Sequence, residues 1–336
     1  MAAQILVKDL QKTYRVPERK EGLAATVRNL FRRRYREVAA VNNINFAIEP
    51  GEVVGFIGPN GAGKTTTLKI LSGLLYPTAG EVCVAGFIPW QRETEFLRCI
   101  SMVMTNKNQL NWENTAMDSF RVLAEIYRVP PRQFQETLAE LTALLDMTEL
   151  LPQMVRNLSL GQRMKCELVA ALLHRPQILF LDEPTLGLDI SMQLNLRHFL
   201  AEYNQRHVAT VIITSHYMAD VTALCSRVIL IDKGQLLYDG DLSQLATRIA
   251  PFKLVKVTTS LEDNMTQRST LLASLAPIAT VLGENGGHQL TLRVPKEKAA
   301  QAITCLLTQL PVIDISVEDP PIEAVIDQVY REGISP

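Results

Sequence analysis

No stretch of the chain holds the roughly 18 consecutive apolar residues that a membrane-crossing helix needs, so any work at a bilayer is expected to pass through a partner. Charge of neither sign is in excess. The 34 Lys and Arg stand against 35 Asp and Glu, for a formal net charge of −1, which argues against general affinity for nucleic acid or lipid. The five cysteines, at 83, 99, 166, 225 and 305, are scattered and include no C-x-x-C pair. That excludes a zinc-thiolate or disulfide framework and predicts buried, reduced thiols in a cytosolic protein. The opening Met-Ala-Ala-Gln-Ile-Leu-Val-Lys-Asp has no apolar h-region, so no secretory signal is expected. Apolar residues make up 47% of the 336, enough for an ordinary core and for one large plus one small domain.

What the chain does hold is Gly58-Pro59-Asn60-Gly61-Ala62-Gly63-Lys64-Thr65, a full match to the phosphate-binding pattern G-x-x-x-x-G-K-[ST]. Residues 52–57 before it read as a buried strand, and residues 65–75, beginning Thr65-Thr66, as a helix. Strand, loop and helix in that order are what the mechanism requires. Glycines 58, 61 and 63 are expected to adopt positive φ and close backbone N–H groups around phosphate oxygens. The helix N-terminus adds partial positive charge. Lys64 is placed for the β- and γ-phosphates, and the Thr65 hydroxyl for Mg²⁺. This is a nucleotide-binding sequence.

Residues 5–7 read as a first strand, leading to Tyr14 and then a polar, irregular stretch; residues 41–48 resume strand-like alternation. An exposed Tyr14 beside a nucleotide would stack on a base, whereas a strand tyrosine more often serves packing. Between these strands Leu23, Val27, Leu30 and Phe31 share one face of a short helix over 22–36 whose C-terminal half carries Arg28, Arg32, Arg33, Arg34 and Arg36. A basic amphipathic helix fits a lipid surface or an acidic partner, and equally a solvated insertion. Further strands are expected at 80–84, 99–104, 178–181, 210–214 and 227–231, with helices between. Residues 116–151 switch to helical periodicity, divided by Val129-Pro130-Pro131. Beyond about 245 the order is strand 253–260, helix 265–275, strands 277–282 and 288–294, helix 296–309 and strand 312–318. This βαββαβ order is the ferredoxin-like pattern, and a last helix is expected over 321–331.

Four apolar residues, 178–181, deliver Asp182 and Glu183 to a strand end. A strand-end acid accompanies phosphate loops as a holder of Mg²⁺, and Glu183 is placed to polarise a water attacking the γ-phosphate. Pro184, Gly187 and Asp189 shape the turn that follows. His216, after the strand at 210–214, is a candidate for the γ-phosphate or the attacking water.

Together these elements resemble an ATP-binding-cassette (ABC) ATPase, the nucleotide-binding subunit of a transporter. Tyr14, the loop 58–65, Leu158-Ser159-Leu160-Gly161-Gln162, Asp182-Glu183, Gly187-Leu188-Asp189 and His216 stand in the family order over residues 1 to about 245. The resemblance implies an α/β phosphate-loop NTPase of ABC type over 1–245, with a helical subdomain inserted at about 106–165. A small α+β, ferredoxin-like domain follows over 246–336. It also implies ATP and Mg²⁺ as ligands and Tyr14 stacked on the base. Pentapeptide 158–162 is similar to the family's LSGGQ signature, and implies that Ser159, Gly161 and Gln162 complete the nucleotide site of a second subunit. Two ATP molecules would then be sandwiched in a homodimer, or in a heterodimer with a related ATPase. Integral membrane transporter subunits would be the other partners, with the ATPase peripheral on the cytoplasmic face of the inner membrane. No nucleic acid is expected.

Two residues depart from the family pattern. Leu160 replaces the first signature glycine, a change of little consequence where a backbone N–H faces phosphate. The family's strand-end Gln, a Mg²⁺ contact, falls by register on Asn106, with Gln109 three residues on. The basic insert, Asn111-Trp112-Glu113 and 317–322 look like a bacterial exporter subgroup; a polysaccharide exporter is the second reading. A soluble ABC ATPase of ribosomes or DNA is a different class. Against it stand a single phosphate loop and signature, and the lack of coiled-coil or zinc insertions. Retention of Glu183 and His216 argues against an idle, ATP-gated subunit.

Overall fold

The computed structural model describes residues 3–17, 35–105, 109–215, 217–259, 275–285 and 289–332. The chain divides into two compact units, Met1–Leu242 and Ser243–Pro336.

The first unit begins with a long hairpin, β1 (Ile5–Pro17) and β2 (Tyr35–Ile48), paired antiparallel from Ile5↔Ile48 to Pro17↔Tyr35. Both strands outrun the sequence reading. Tyr14 therefore lies within β1 opposite Val38, and Arg36 lies in β2 opposite Val16, not on a helix. The tips of the two strands are exposed and lack the alternation that would reveal them; cross-strand pairing extends them. Residues 22–34 of the expected basic helix lie outside the described residues. After β3 (Val53–Ile57) and the phosphate loop comes α1 (Lys64–Leu71), shorter than read because Ser72 and Gly73 close it. Next are β4 (Ala79–Val84), α2 (Thr94–Cys99) and β5 (Ile100–Met104).

Helix α3 (Ala116–Ile126) is capped by Thr115, and α4 (Pro131–Leu144) has proline in its first turn, where no N–H is needed. The break at 129–131 divides them as the sequence implies. Helix α5 (Leu160–Leu172), β6 (Ile178–Asp182), α6 (Ile190–His207), β7 (Thr210–Thr214), α7 (Met218–Leu224) and β8 (Arg227–Asp232) complete the βα alternation. One strand was not foreseen: β9 (Gln235–Asp241) returns antiparallel to β8 through Lys233 and Gly234, both at positive φ. Such a two-residue turn matches the twist of a hairpin. Its Gln, Asp and Gly content hides β9 from propensity.

The main sheet runs β5-β6-β7-β3-β8-β9, parallel except for β9; a second sheet runs β2-β1-β4. Strands β6, β7 and β8 are buried on both faces, hence their unbroken apolar runs. Ile5, Leu10 and Phe46 of the second sheet, Phe56 and Phe180 of the first, and Leu68 and Leu71 of α1 form one core. The Phe46 and Phe56 rings meet across the sheets at 5.9 Å.

The second unit contains the rest of α8 (Leu242–Ile249), then β10 (Phe252–Thr259), β11 (Thr280–Asn285), β12 (Gln289–Pro295), α9 (Ala299–Gln309), β13 (Val312–Glu318) and α10 (Ile322–Glu332). Its sheet is antiparallel in the order β11-β12-β10-β13, the ferredoxin-like arrangement. The expected helix at 265–275 lies, except for Leu275, outside the described residues. Val255, Val257, Leu292, Val294 and Leu306 belong to this unit's own core.

Candidate nucleotide site

The loop at 58–65 connects β3 to α1, and each of two glycines has a distinct reason to be there. Gly63 has φ +109°, and a Cβ there would stand 2.3 Å from the Ala40 carbonyl oxygen. Gly58 is not among the positive-φ residues, contrary to expectation. Its requirement is space, since a Cβ would meet the Ile231 carbonyl oxygen at 2.3 Å. Strands β2 and β8 therefore press the loop from outside and hold it as a cradle only a bare backbone can form. Gly63 caps α1 without a side chain, so the N–H groups of Lys64, Thr65 and Thr66 have no intrahelical acceptor. Such a helix end favours an anion.

Lys64 is 5% exposed; its Nζ donates to the carbonyls of Gly58 (2.6 Å) and Pro59 (3.2 Å). Burial pulls its pKa below the usual lysine value, opposed by the nearby Glu183 and Asp182 carboxylates. A phosphate arriving at the loop adds negative charge and favours the cation further.

Asp182 ends β6, paired in register with Met104 of β5 and Thr214 of β7. Its carboxylate lies 2.9 and 3.1 Å from the Thr65 hydroxyl and accepts the Thr214 hydroxyl at 2.8 Å. A helix and two strands thus bring two hard oxygen ligands, Thr65 and Asp182, to one point. Glu183 follows with φ +55°, a left-handed backbone that a non-glycine residue adopts at a cost. Its N–H donates to both the carbonyl (3.1 Å) and the hydroxyl (3.0 Å) of Thr214, and its carbonyl accepts the Thr105 hydroxyl at 2.6 Å. Neither Thr105 nor Thr214 stood out in the sequence; the available signal was a hydroxyl ending an apolar strand.

Ser159 caps α5 in a reciprocal capping box: Gln162 N–H donates to its hydroxyl, and Ser159 N–H donates to the Gln162 side chain. The Ser159 amide is thus engaged within the helix end, leaving those of Leu160 and Gly161 as the first-turn donors. Asp189 likewise caps α6, accepting from Met192 N–H at 2.8 Å. The two helix starts adjoin: a Cβ on Gly161 would lie 3.0 Å from Met192, and one on Gly187 3.1 Å from Leu160. Gly187, at φ +77°, lies against the end of the Leu160 side chain.

Tyr14 is 37% exposed in β1, with Lys12 Nζ 5.3 Å from its ring centre. Asn106 and His216 lie outside the described residues. Gln109 turns its carboxamide to the Met102 carbonyl at 3.1 Å, two residues short of the strand end at Met104. Its N–H donates to the buried carboxylate of Glu167 on α5 at 3.0 and 3.1 Å, and Leu110 N–H to the same group at 3.4 Å. Glu167, too, went unremarked in the sequence, where a helical glutamate reads as solvated.

Residues 41–186 match the ABC transporter family, and residues 251–318 the C-terminal domain of EvrA-like ABC transporters. The chain is 34% identical over 215 residues to the ABC transporter ATP-binding protein NatA of Bacillus subtilis, covering 64% of this chain and 87% of that one. It belongs to the ABC transporter ATP-binding proteins. The linearmycin resistance ATP-binding protein LnrL of B. subtilis is 27% identical over 296 residues, 86% of this chain and 93% of its own. A methionine import ATP-binding protein, MetN of Carboxydothermus hydrogenoformans, is 35% identical over 212 residues, 61% of this chain and 62% of its own. Among solved structures, an ATP-binding subunit of an ABC transporter superposes with a TM-score of 0.60 at 24% identity, covering 72% of this chain and 91% of that one. A dimeric cassette in a post-hydrolysis state, bound to ADP and Pi, has a TM-score of 0.58 at 24% identity, covering 70% and 98%. Both show the cassette fold. The ABC cassette is an ATPase, converting ATP and water to ADP and phosphate.

Proposed function

We propose that this chain is the ATP-hydrolysing subunit of an ABC exporter. The observation that carries the mechanism is the convergence of Thr65, Asp182 and Thr214 beside the phosphate loop, with Glu183 on the next residue. The loop amides and Lys64 bind the phosphates. Thr65 and Asp182, whose oxygens already meet, would hold Mg²⁺, a hard cation that takes oxygen ligands; when bound, it would screen the charge of the phosphates. Glu183 takes a proton from water as its oxygen bonds to the γ-phosphorus. The bond from that phosphorus to the bridging oxygen breaks, leaving ADP, phosphate and a proton. Tyr14 stacks on the base, and His216 serves at the γ-phosphate or the attacking water. The Leu160 and Gly161 amides of a second subunit close over the same nucleotide, making the dimer the hydrolysing unit.

Export, in preference to import, is supported by LnrL, a relative named for linearmycin resistance whose match takes in 296 residues, 86% of this chain. No helix among the described residues is long and apolar enough to cross a membrane. In keeping with its family, this chain works with separate membrane subunits that carry the cargo path, bound at their cytoplasmic face.

Glu183→Gln tests the chemistry. The variant is expected to bind ATP normally, lose on the order of 10²- to 10⁴-fold in turnover and elute as an ATP-dependent dimer in gel filtration. Unchanged turnover removes Glu183 as the base. Direction is read in vesicles holding this chain and its membrane subunits with nucleotide sites outward, where an exporter fills the lumen on ATP addition and an importer empties it.

A further inference from the structure

Asp220, on α7, is 0% exposed, and its carboxylate gathers donors from three separate segments. Oδ2 accepts the hydroxyls of Thr185 (2.5 Å) and Ser215 (2.6 Å), while Oδ1 accepts Arg197 Nε from α6 at 2.6 Å. Arg197 also reaches the Gln193 side chain at 3.4 Å. An unpaired buried carboxylate is costly, and the guanidinium and two hydroxyls offset much of that cost. The two hydroxyls belong to the turns that follow β6 and β7, the strands that carry Asp182 and Thr214.

Those turns define where Glu183 stands. The Glu183 backbone is held upstream by Thr214 and Thr105. Two residues downstream, Thr185 is 1% exposed and tied to Asp220. A positive φ at a non-glycine residue persists only where its surroundings over-determine it. The Ser215 hydroxyl additionally accepts Tyr217 N–H at 3.0 Å, so the same carboxylate fixes the turn after β7.

We infer that Asp220, paired with Arg197, is a positioning residue for ATP hydrolysis: by holding Thr185 and Ser215 it keeps Glu183 where it can take the proton of the attacking water. This rests on Glu183 being the general base. Asp220 touches neither the loop nor Lys64, so its influence should fall on kcat and spare nucleotide binding.

The test uses the full chain, measuring steady-state ATPase, titration with a fluorescent ATP analogue and thermal midpoint for each variant. Thr185→Val and Asp220→Asn are each expected to lower kcat by about 10- to 100-fold, because small misplacements of a reacting group cost that much. KM should stay within about twofold and binding stoichiometry stay full. Thr185→Ser keeps the hydroxyl and should recover most of the rate lost in Thr185→Val. Arg197→Met combined with Asp220→Asn removes both charges; it should recover the thermal midpoint of the single variants without recovering kcat. Normal kcat per binding-competent chain in Thr185→Val and Asp220→Asn overturns the inference, as does recovery of kcat together with stability in the double variant. Glu183→Gln, run alongside, separates the two readings. If it alone is inactive, only the positioning role falls; if it turns over normally, the assignment of the base falls.

Discussion

At the residue scale, opposing effects decide the state of each buried charge. Glu167 is 4% exposed and accepts two backbone N–H groups, with Arg163 nearby; both influences favour its ionised form. Burial outweighs them and raises its pKa above the usual 4.5. The folded chain therefore keeps this proton to higher pH than the unfolded chain does. The resulting stabilisation is complete below pH 4.5 and is lost as pH rises through the folded value. Wild-type stability relative to Glu167→Gln should decline from pH 4.5 upward and level off once Glu167 ionises in the folded state. Urea unfolding at stepped pH measures that difference; a constant difference would mean the carboxyl titrates as in the unfolded chain.

At the element scale, helix starts are the working parts, and each is terminated differently. Helix α1 begins on Gly63 with no side-chain cap, leaving its amides for phosphate. Helices α5 and α6 begin on Ser159 and Asp189, which satisfy part of their own ends. Removing a serine cap costs about 1 kcal/mol. Ser159→Ala should therefore lower the unfolding free energy of the first unit, read from urea titration, by that amount, and should weaken ATP-dependent dimerisation because the Leu160 and Gly161 amides lose their fixed aim. An unchanged dimer in gel filtration would place the signature helix outside the interface. In the sequence Ser159 and Gln162 stand out as part of the signature and Asp189 as part of a turn. Their capping bonds are decided by the rotamers that the folded helices impose. The full reach of β1 and β2 was equally hidden, since their exposed tips gain order only from each other.

At the scale of the whole molecule, each unit has its own core, and the nucleotide machinery lies in the first. Leu292 is fully buried in the second. Leu292→Ala should destabilise that unit by about 2–5 kcal/mol through lost burial and the cavity left behind. ATP should stabilise the first unit by mass action. Differential scanning calorimetry should then show the substitution and the nucleotide moving different transitions. A single transition that responds to both would show that the units unfold together.

The phosphate loop, the acid-tipped strand 178–182, the parallel sheet and the ferredoxin-like order of the second unit follow from local features. Glycine stereochemistry, apolar runs and proline breaks act over a few residues, and so can be read along the chain. Tertiary structure alone decided that Thr214 grips both Asp182 and Glu183, that Glu167 holds the segment after β5, and that Thr185, Arg197 and Ser215 meet on Asp220. Those groups are polar residues of common type, and what distinguishes them is burial and a partner up to 58 residues away. Desolvation sets their energies, and desolvation exists only once the chain has packed. The loop at 58–65 thus announces a phosphate by its own sequence, while the place of Glu183 is fixed by the contacts that Thr214 and Thr105 make across the fold.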